Sequence, residues 1–498
     1  MVVDIPGYYY DSEKKKYFKI EKSHTAPASA AWSSDEVKRR KVQDQVCHAK
    51  QRRADRLKYH IKRNHAIQRH VVSSEIFSSQ LGSGLSSVVA SYGPGHLRAA
   101  AWADGLADKG LIPFVPSFAR SRFANMSCFY VSGDDTKTGM GAAYATLDEE
   151  TLVGSYIDMD DNDKVKFLGN SSSRPGHGLS FRTEMIRCPQ ISSIQYHKPS
   201  NKILLTSREV EPSCGIFCFS PLLSQPHDNR PFWLLGETEY YQRIPIRVGP
   251  RDEWLVNKST PAPPSSDLLC VVGTNTGLLR VTSNETMAHI SSHANNRSAA
   301  VGQGHFHKAG RQPKEIFDQD FLTGNHNVVL AGGRQPRVWI TDLRVPEPQW
   351  SSIAHASSVA HLRSVNEHQV VVAGLRHSMA LYDMRFFREE CWPNGSSPLL
   401  QFHGYRNEAH FHTGWDVSTD LGVVAAAHDD GTVKLFSLAS GRLLNQKGDA
   451  LGGIRSQTPI KALMFQTMPR QKMPSLFIGE GPSLKKFSFG VDSLEDEA

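Results

Sequence analysis

Beyond about residue 74, apolar side chains come in short runs broken by Gly, Asp, Asn and Pro, a texture of strands and turns. Leu97 to Trp102 reads as one strand, and Ser127 to Val131, ahead of Gly133-Asp134-Asp135, as another. Ile191 to Tyr196 alternates. Ile203 to Ser207 and Ile216 to Phe219 follow, then Leu268 to Val272 and Gly277 to Val281. Between these lie a proline-bearing stretch, 220–266, which reads as a long irregular insertion, and a polar stretch, 284–312, which reads as a loop. The pattern sharpens into repeats at 315–344, 351–386, 400–443 and 456–489. In the third of these, the small-residue strand Gly422 to Ala427 meets the tight turn Asp430-Gly431, and Thr432 to Phe436 returns.

Two of the strands close on the same phrase: Val338-Trp339-Ile340-Thr341-Asp342-Leu343-Arg344 and Ala380-Leu381-Tyr382-Asp383-Met384-Arg385. Asp-x-Arg at a strand end, recurring after about 40 residues, is the period of a WD-repeat blade. The predicted fold is all-β, a propeller of about seven blades over 74–490, because blades of about 40 to 45 residues pack only on their neighbours. Its ring has to close between first and last strands, since an open sheet edge invites aggregation. In the blade from His403 to Leu443, Phe436 stands where a tryptophan is usual, and His403 or His410 is the candidate for the histidine of the internal hydrogen-bonded set.

The N-terminal part reads differently. Tyr8, Tyr9 and Tyr10 form one arm of an aromatic hairpin and Tyr17 to Ile20 the other, with Asp11-Ser12-Glu13 as the turn. Two strands alone are marginal in water, so this piece has to pack on something, as a clasp on the main domain or as a docking element. Residues 1–32 are therefore taken as hairpin plus an Ala/Ser/Pro linker. A basic amphipathic helix follows within 33–70, capped by Ser33 or Ser34, acidic in its first turn (Asp35, Glu36), and running to about Asn64. Its apolar stripe is Val42, Val46 and Ala49, continued by Ala54, Leu57 and Ile61. So thin a stripe on so charged a helix points to a partner groove rather than to independent folding. Residues 491–498 form an acidic tail.

Charge supports this division. The chain of 498 residues carries a net +7, but Lys38 to Arg69 alone holds +10, leaving −3 for the rest. The basic character belongs to one segment, not to the folded body. Lys38-Arg39-Arg40-Lys41 reads as a nuclear import signal. The seven cysteines show no Cys-x-x-Cys pair, so reduced thiols in nucleus or cytosol are expected. The start of the chain has no apolar run of a signal peptide, and no stretch approaches the roughly 20 apolar residues of a membrane span.

Catalytic signatures fail on inspection. Gly93-x-Gly95 and Gly139-x-Gly141 meet Arg98 and Tyr144 where a dinucleotide loop needs a third glycine. The run Asp158 to Asp163 starts like a calcium loop but has Asp163 in place of glycine and Gly169 in place of glutamate. His289, His293, His305 and His307 sit in a polar stretch without cysteine support. No catalytic residue, metal site or cofactor is expected. What remains is the paired Asp-x-Arg, either turn caps with solvated arginines or a two-point device for gripping another protein.

Asp-x-Arg ending consecutive blades resembles the docking box of the WD-repeat substrate receptors of cullin-4 RING ubiquitin ligases, the cullin-4-associated factors. Pro6-Gly7-Tyr8-Tyr9-Tyr10-Asp11 followed by Lys15-Lys16-Tyr17-Phe18, the basic helical segment, and the spacing from Phe317-Asp318-Gln319-Asp320-Phe321 to Leu484-Lys485-Lys486-Phe487-Ser488-Phe489 are similar to that family too. The resemblance covers roughly the first 70 residues and 315–490. It implies a non-catalytic receptor that binds the large damaged-DNA-binding adaptor, and cullin-4 through it, with Asp342, Arg344, Asp383 and Arg385 as docking positions and an unknown protein as substrate. It further implies that the basic helix enters the adaptor's cleft. The family box prefers Trp-Asp-x-Arg; Thr341 and Tyr382 replace the tryptophan here. The competing expectation is a nuclear scaffold that holds RNA or chromatin through the basic segment.

Overall fold

The computed structural model describes residues 7–11, 14–21, 32–52, 94–114, 126–132, 141–159, 165–166, 183–188, 190–208, 215–219, 242–245, 255–290, 313–345, 350–386, 397–444, 450–454, 456, 458–468, 471 and 473–490. The chain divides into an N-terminal unit and a larger one spanning Tyr92–Ser493.

In the N-terminal unit, Tyr8–Asp11 pairs antiparallel with Lys16–Lys19, with Tyr9 opposite Phe18 and Tyr10 opposite Tyr17. The hairpin packs on the start of a helix. Trp32 stacks on Phe18 with ring centroids 5.1 Å apart, and the Arg40 guanidinium lies 5.2 Å from the Tyr9 ring centre while donating to its hydroxyl. Ser33 is the helix cap, its carbonyl accepting from Val37 N–H at 2.9 Å. The helix is described over residues 34–52. Val42, Val46 and Ala49 of the expected stripe are exposed, whereas Ala54, Leu57, Ile61 and the helix end at Asn64 lie outside the described residues.

The larger unit is a seven-bladed β-propeller of antiparallel sheets, and its blades are numbered here in chain order. Blade 1 holds Cys128–Ser132, Gly141–Thr146 and Thr151–Met159, whose outer side pairs with Val165–Lys166 and Thr183–Arg187. Blade 2 runs Ile191–His197, Lys202–Ser207, Gly215–Phe219, Gln242–Pro245. Blade 3 runs Val256–Pro261, Leu268–Thr274, Leu278–Thr282, Met287–His289. Blade 4 runs Ile316–Leu322, Asn325–Gly333, Arg337–Asp342, Ser351–Ala354. Blade 5 runs Val359–Ser364, Gln369–Gly374, Met379–Asp383, Leu400–Gln401. Blade 6 has Trp415–Ser418, Val423–Ala427 and Val433–Ser437, with Leu443 bridging Phe436 on the outside. Blade 7 has Leu463–Gln466, Ser475–Glu480 and Ser483–Phe489.

The ring closes as its edge chemistry requires. The fourth strand of blade 7 is Leu106–Pro113, which pairs with Ser483–Phe489 from the far end of the sequence. Hydrophobic clusters fill the spaces between neighbouring blades, such as Leu330, Val338 and Ile353 of blade 4 against Val359, Val370 and Val372 of blade 5. Inner strands are also stapled by carboxylates: Asp318 accepts from Leu362 N–H at 3.1 Å, Asp320 from Ser364 N–H at 2.9 Å, and Asp416 from Phe465 N–H at 2.8 Å.

Three expectations are corrected here. Leu97 to Trp102 is not a strand but part of a helix, Pro94–Asp104. Proline suits the first helical turn, and the alanines at 99, 100 and 101 are strong helix formers without β-branching. The helix buries Ala99, Trp102 and Ala103 against Val423, Leu435 and Phe465. The stretch 220–266 is not wholly irregular either, since it supplies the outer strand of blade 2 and the inner strand of blade 3, the latter ending on Pro261. Met287–His289 likewise is a strand within the expected loop.

Candidate functional site

The two Asp-x-Arg phrases terminate the third strands of blades 4 and 5, and they are built alike. Asp342 accepts from Arg344 N–H at 2.9 Å and Asp383 from Arg385 N–H at 2.9 Å, so each aspartate caps the turn leaving its strand. Each arginine then folds back onto the same carboxylate as a two-pronged fork. Arg344 Nε and Nη2 reach Asp342 at 3.0 and 2.6 Å, and Arg385 Nε and Nη2 reach Asp383 at 3.0 and 2.7 Å. The intervening residue is anchored in register too: Leu343 N–H donates to Asn327 C=O at 2.8 Å, Met384 N–H to His368 C=O at 2.7 Å.

Equivalent strands of successive blades run in the same direction, so both phrases emerge on one face of the ring. The neighbouring turns on that face touch: Thr323 N–H donates to Ser364 Oγ at 2.9 Å. The guanidinium side chains keep 63% and 56% of their surface, so they are available to a partner. The arginines hold both carboxyls below their ordinary range, Asp383 at about 2. The pairs therefore stay ionised and locally neutral at physiological pH.

The missing tryptophans have different consequences in the two blades. Tyr382 is buried, and its hydroxyl meets His355 Nδ1 at 3.0 Å; His355 Nε2 meets Ser378 Oγ at 3.1 Å, and Ser378 lies 2.6 Å from Ser357 Oγ. The phenol thus replaces the indole N–H in the set that fixes a WD-type blade. Burial pushes His355 down to about 4 and Tyr382 up to about 12, so both are neutral links. Thr341 is buried in blade 4 with no hydrogen-bond partner for its hydroxyl among the described residues.

Blade 6 departs from the expected set. His403 and His410 are both exposed and do not reach Phe436. Asn407 occupies the interior instead, donating to Tyr405 Oη at 3.2 Å and to His410 C=O at 2.8 Å, while Phe436 packs against Phe402 and His428. With a hydrocarbon ring in the tryptophan position, no donor remains for a histidine to accept from. The Asp430-Gly431 turn is as expected, with Gly431 at φ +73°.

The inner strands surround a central cavity of about 210 Å³. Residues 411–414 line it. Phe411 lies against Phe317, His412 Nε2 accepts from Arg208 Nη2 at 2.7 Å, and Thr413 Oγ1 meets His361 Nε2 at 3.0 Å. Ion pairs line the walls, Lys258–Asp318 at 2.6 Å and Lys461–Glu149 at 3.1 Å. Burial holds His361 at about 3, so it is neutral and acts as a hydrogen-bonding spacer. Among the described residues, no group of His, Cys, Asp and Glu side chains could hold a metal ion. His289 ends a strand, while His293, His305, His307 and most of the acidic run at 158–163 lie outside the described residues. Burial raises the thiols of Cys128, Cys188, Cys218 and Cys270 well above an ordinary thiol, and Cys47 is exposed.

Of the basic tetrad at 38–41 expected as an import signal, Lys38, Arg39 and Lys41 are exposed, with Arg39 paired to Glu36 at 3.3 Å, and Arg40 is committed to Tyr9. Among the described residues no helix is long and apolar enough to cross a membrane.

No family model and no curated protein matches the sequence. Among solved structures, the chain is similar to the WD40 β-propeller domain of Doa1, at 10% sequence identity and a TM-score of 0.48, over 77% of this chain and 97% of that one.

Proposed function

We propose that this propeller is a non-catalytic substrate receptor of a cullin-4 RING ubiquitin ligase. It docks on the damaged-DNA-binding adaptor through Arg344 and Arg385. A WD-repeat propeller is a protein-interaction scaffold, and the reading builds on that general role. The observation that carries it is the pair of matching Asp–Arg forks on one face, each exposed yet held in a single orientation by its own aspartate. A fork fixed before binding loses little side-chain entropy on contact, which is what a recurring docking element requires. The exposed valines of the basic helix, Val42 and Val46, fit a second contact in which that helix lies in a groove of the same adaptor. On this reading the chain is nuclear, with Lys38, Arg39, Arg40 and Lys41 as the import signal.

The test is affinity purification from cells followed by mass spectrometry. The unaltered chain is expected to recover adaptor and cullin-4, and the double variant Arg344→Ala/Arg385→Ala to lose both. Among the described residues, the side-chain hydrogen bonds of both arginines stay within their own turns, so the variant should fold. Recovery that the double substitution leaves unchanged removes the docking assignment. RNA or chromatin in place of adaptor and cullin, lost at high salt, would favour the scaffold function instead.

A further inference from the structure

The docking phrase is one residue longer than its charged part. Aligned, the two repeats read Asp342-Leu343-Arg344-Val345 and Asp383-Met384-Arg385-Phe386. The first apolar residue of each turns inward, Leu343 against the cluster around Trp339 and Val329, Met384 against that around Tyr382 and Val370. The second turns outward. Val345 is 38% exposed and Phe386 is 75% exposed, the highest value of any large apolar side chain among the described residues. A single exposed apolar residue is ordinary on a protein surface. Two of them, each directly following the arginine of a fork in adjacent repeats, form a patterned feature.

Phe386 is also held in place. It closes the short 3-10 turn Met384–Phe386, and the Arg385 guanidinium lies 5.5 Å from its ring centre. Arg385 therefore contacts its carboxylate through Nε and Nη2 while its guanidinium lies over the aromatic ring. Among the described residues, Nη1 of neither Arg344 nor Arg385 has a partner.

We propose that this face recognises its partner through a repeated Asp-x-Arg-apolar unit, with Phe386 as the anchoring side chain and the two guanidinium groups as charge-neutralised donors beside it. The proposal rests on the docking-face reading above and deepens it. The occupant it fits is a folded protein surface with an apolar socket for one aromatic ring, rimmed by main-chain carbonyl oxygens. The argument for carbonyl acceptors is electrostatic. Each arginine already carries its counter-charge, so an acidic patch would add repulsion from Asp342 and Asp383, whereas neutral acceptors would not. Aromatic side chains seated in a desolvated pocket dominate many interfaces.

The test uses the full chain and purified adaptor in biolayer interferometry, with the unaltered protein, Phe386→Ala, Phe386→Leu and the double arginine variant, at about 50 to 500 mM salt. Thermal unfolding of each variant checks that the fold is kept. Phe386→Ala is expected to weaken binding about tenfold or more, with Phe386→Leu between it and the unaltered chain. The affinity of the unaltered chain is expected to change less than about threefold across the salt range. If Phe386→Ala binds as the unaltered chain while the double arginine variant does not, the forks stand and the anchor is overturned. A steep loss with salt overturns the neutral-donor part. Absence of binding by the unaltered chain removes the docking-face reading and this inference together.

Discussion

Three buried imidazoles make the propeller's stability depend on pH in a defined direction. Burial holds His355 and His428 at about 4 and His361 at about 3. In an unfolded chain each returns to about 6.5. Between those values the unfolded chain binds more protons than the folded one, so stability falls as pH is lowered through 6.5 and continues to fall until the folded values are reached. For one imidazole held at about 4, lowering the pH from about 7 to about 5 removes ~2 kcal/mol. The three together would remove several kcal/mol, a large part of the ~5–15 kcal/mol that holds a typical domain. The assay is urea unfolding followed by tryptophan fluorescence at pH 7, 6 and 5, compared with the variant His361→Gln, which removes one titrating ring. The midpoint is expected to drop steadily with acidification and to drop less in the variant. A midpoint unchanged between pH 7 and pH 5 would refute the reasoning, because it would mean these rings are protonated in the fold as readily as in water.

Three further outcomes follow from single contacts. Tyr382→Phe leaves the buried His355 Nδ1 without its 3.0 Å partner and is expected to cost about 1–2 kcal/mol by urea unfolding, with adaptor binding unchanged. Gly431→Ala combines a φ of +73° with a methyl placed 1.9 Å from Ser456 C=O, and should lower the midpoint by more than a substitution at the open Gly404. A chain starting at residue 115 lacks Leu106–Pro113 and exposes the edge of Ser483–Phe489, so size-exclusion chromatography should show aggregation where the full chain elutes as a single species.

What the sequence made legible tracks how local the signal is. The Asp430-Gly431 turn, the small-residue strand Val423–Ala427 and the Asp-x-Arg phrases are short-range patterns, and each stands in the structure where its residues predict. The closing strand was hidden because its partner lies at the other end of the chain and its own text, Leu-Ala-Asp-Lys-Gly-Leu, alternates poorly. Pro94–Asp104 was misread because a run containing Leu97 and Trp102 is apolar enough for a strand, while the alanines between them decide for helix. The internal hydrogen-bonded set was sought in blade 6 and formed in blade 5. The signal there is His355 placed just after an outer strand, with a hydroxyl-bearing aromatic at 382 in place of an indole. Phe386 was missed altogether, since an apolar residue after a turn gives no sign in sequence of whether it faces in or out.

The docking assignment is tested most directly by hydrogen exchange of the full chain with and without the purified adaptor. Slowed exchange is predicted at the amides of 342–345 and 383–386 and at the adjoining turns 323–327 and 364–368, on the face that carries both forks. Protection confined to the opposite face, around 375–378 and 403–414, with exchange at both forks unaltered, would contradict the account.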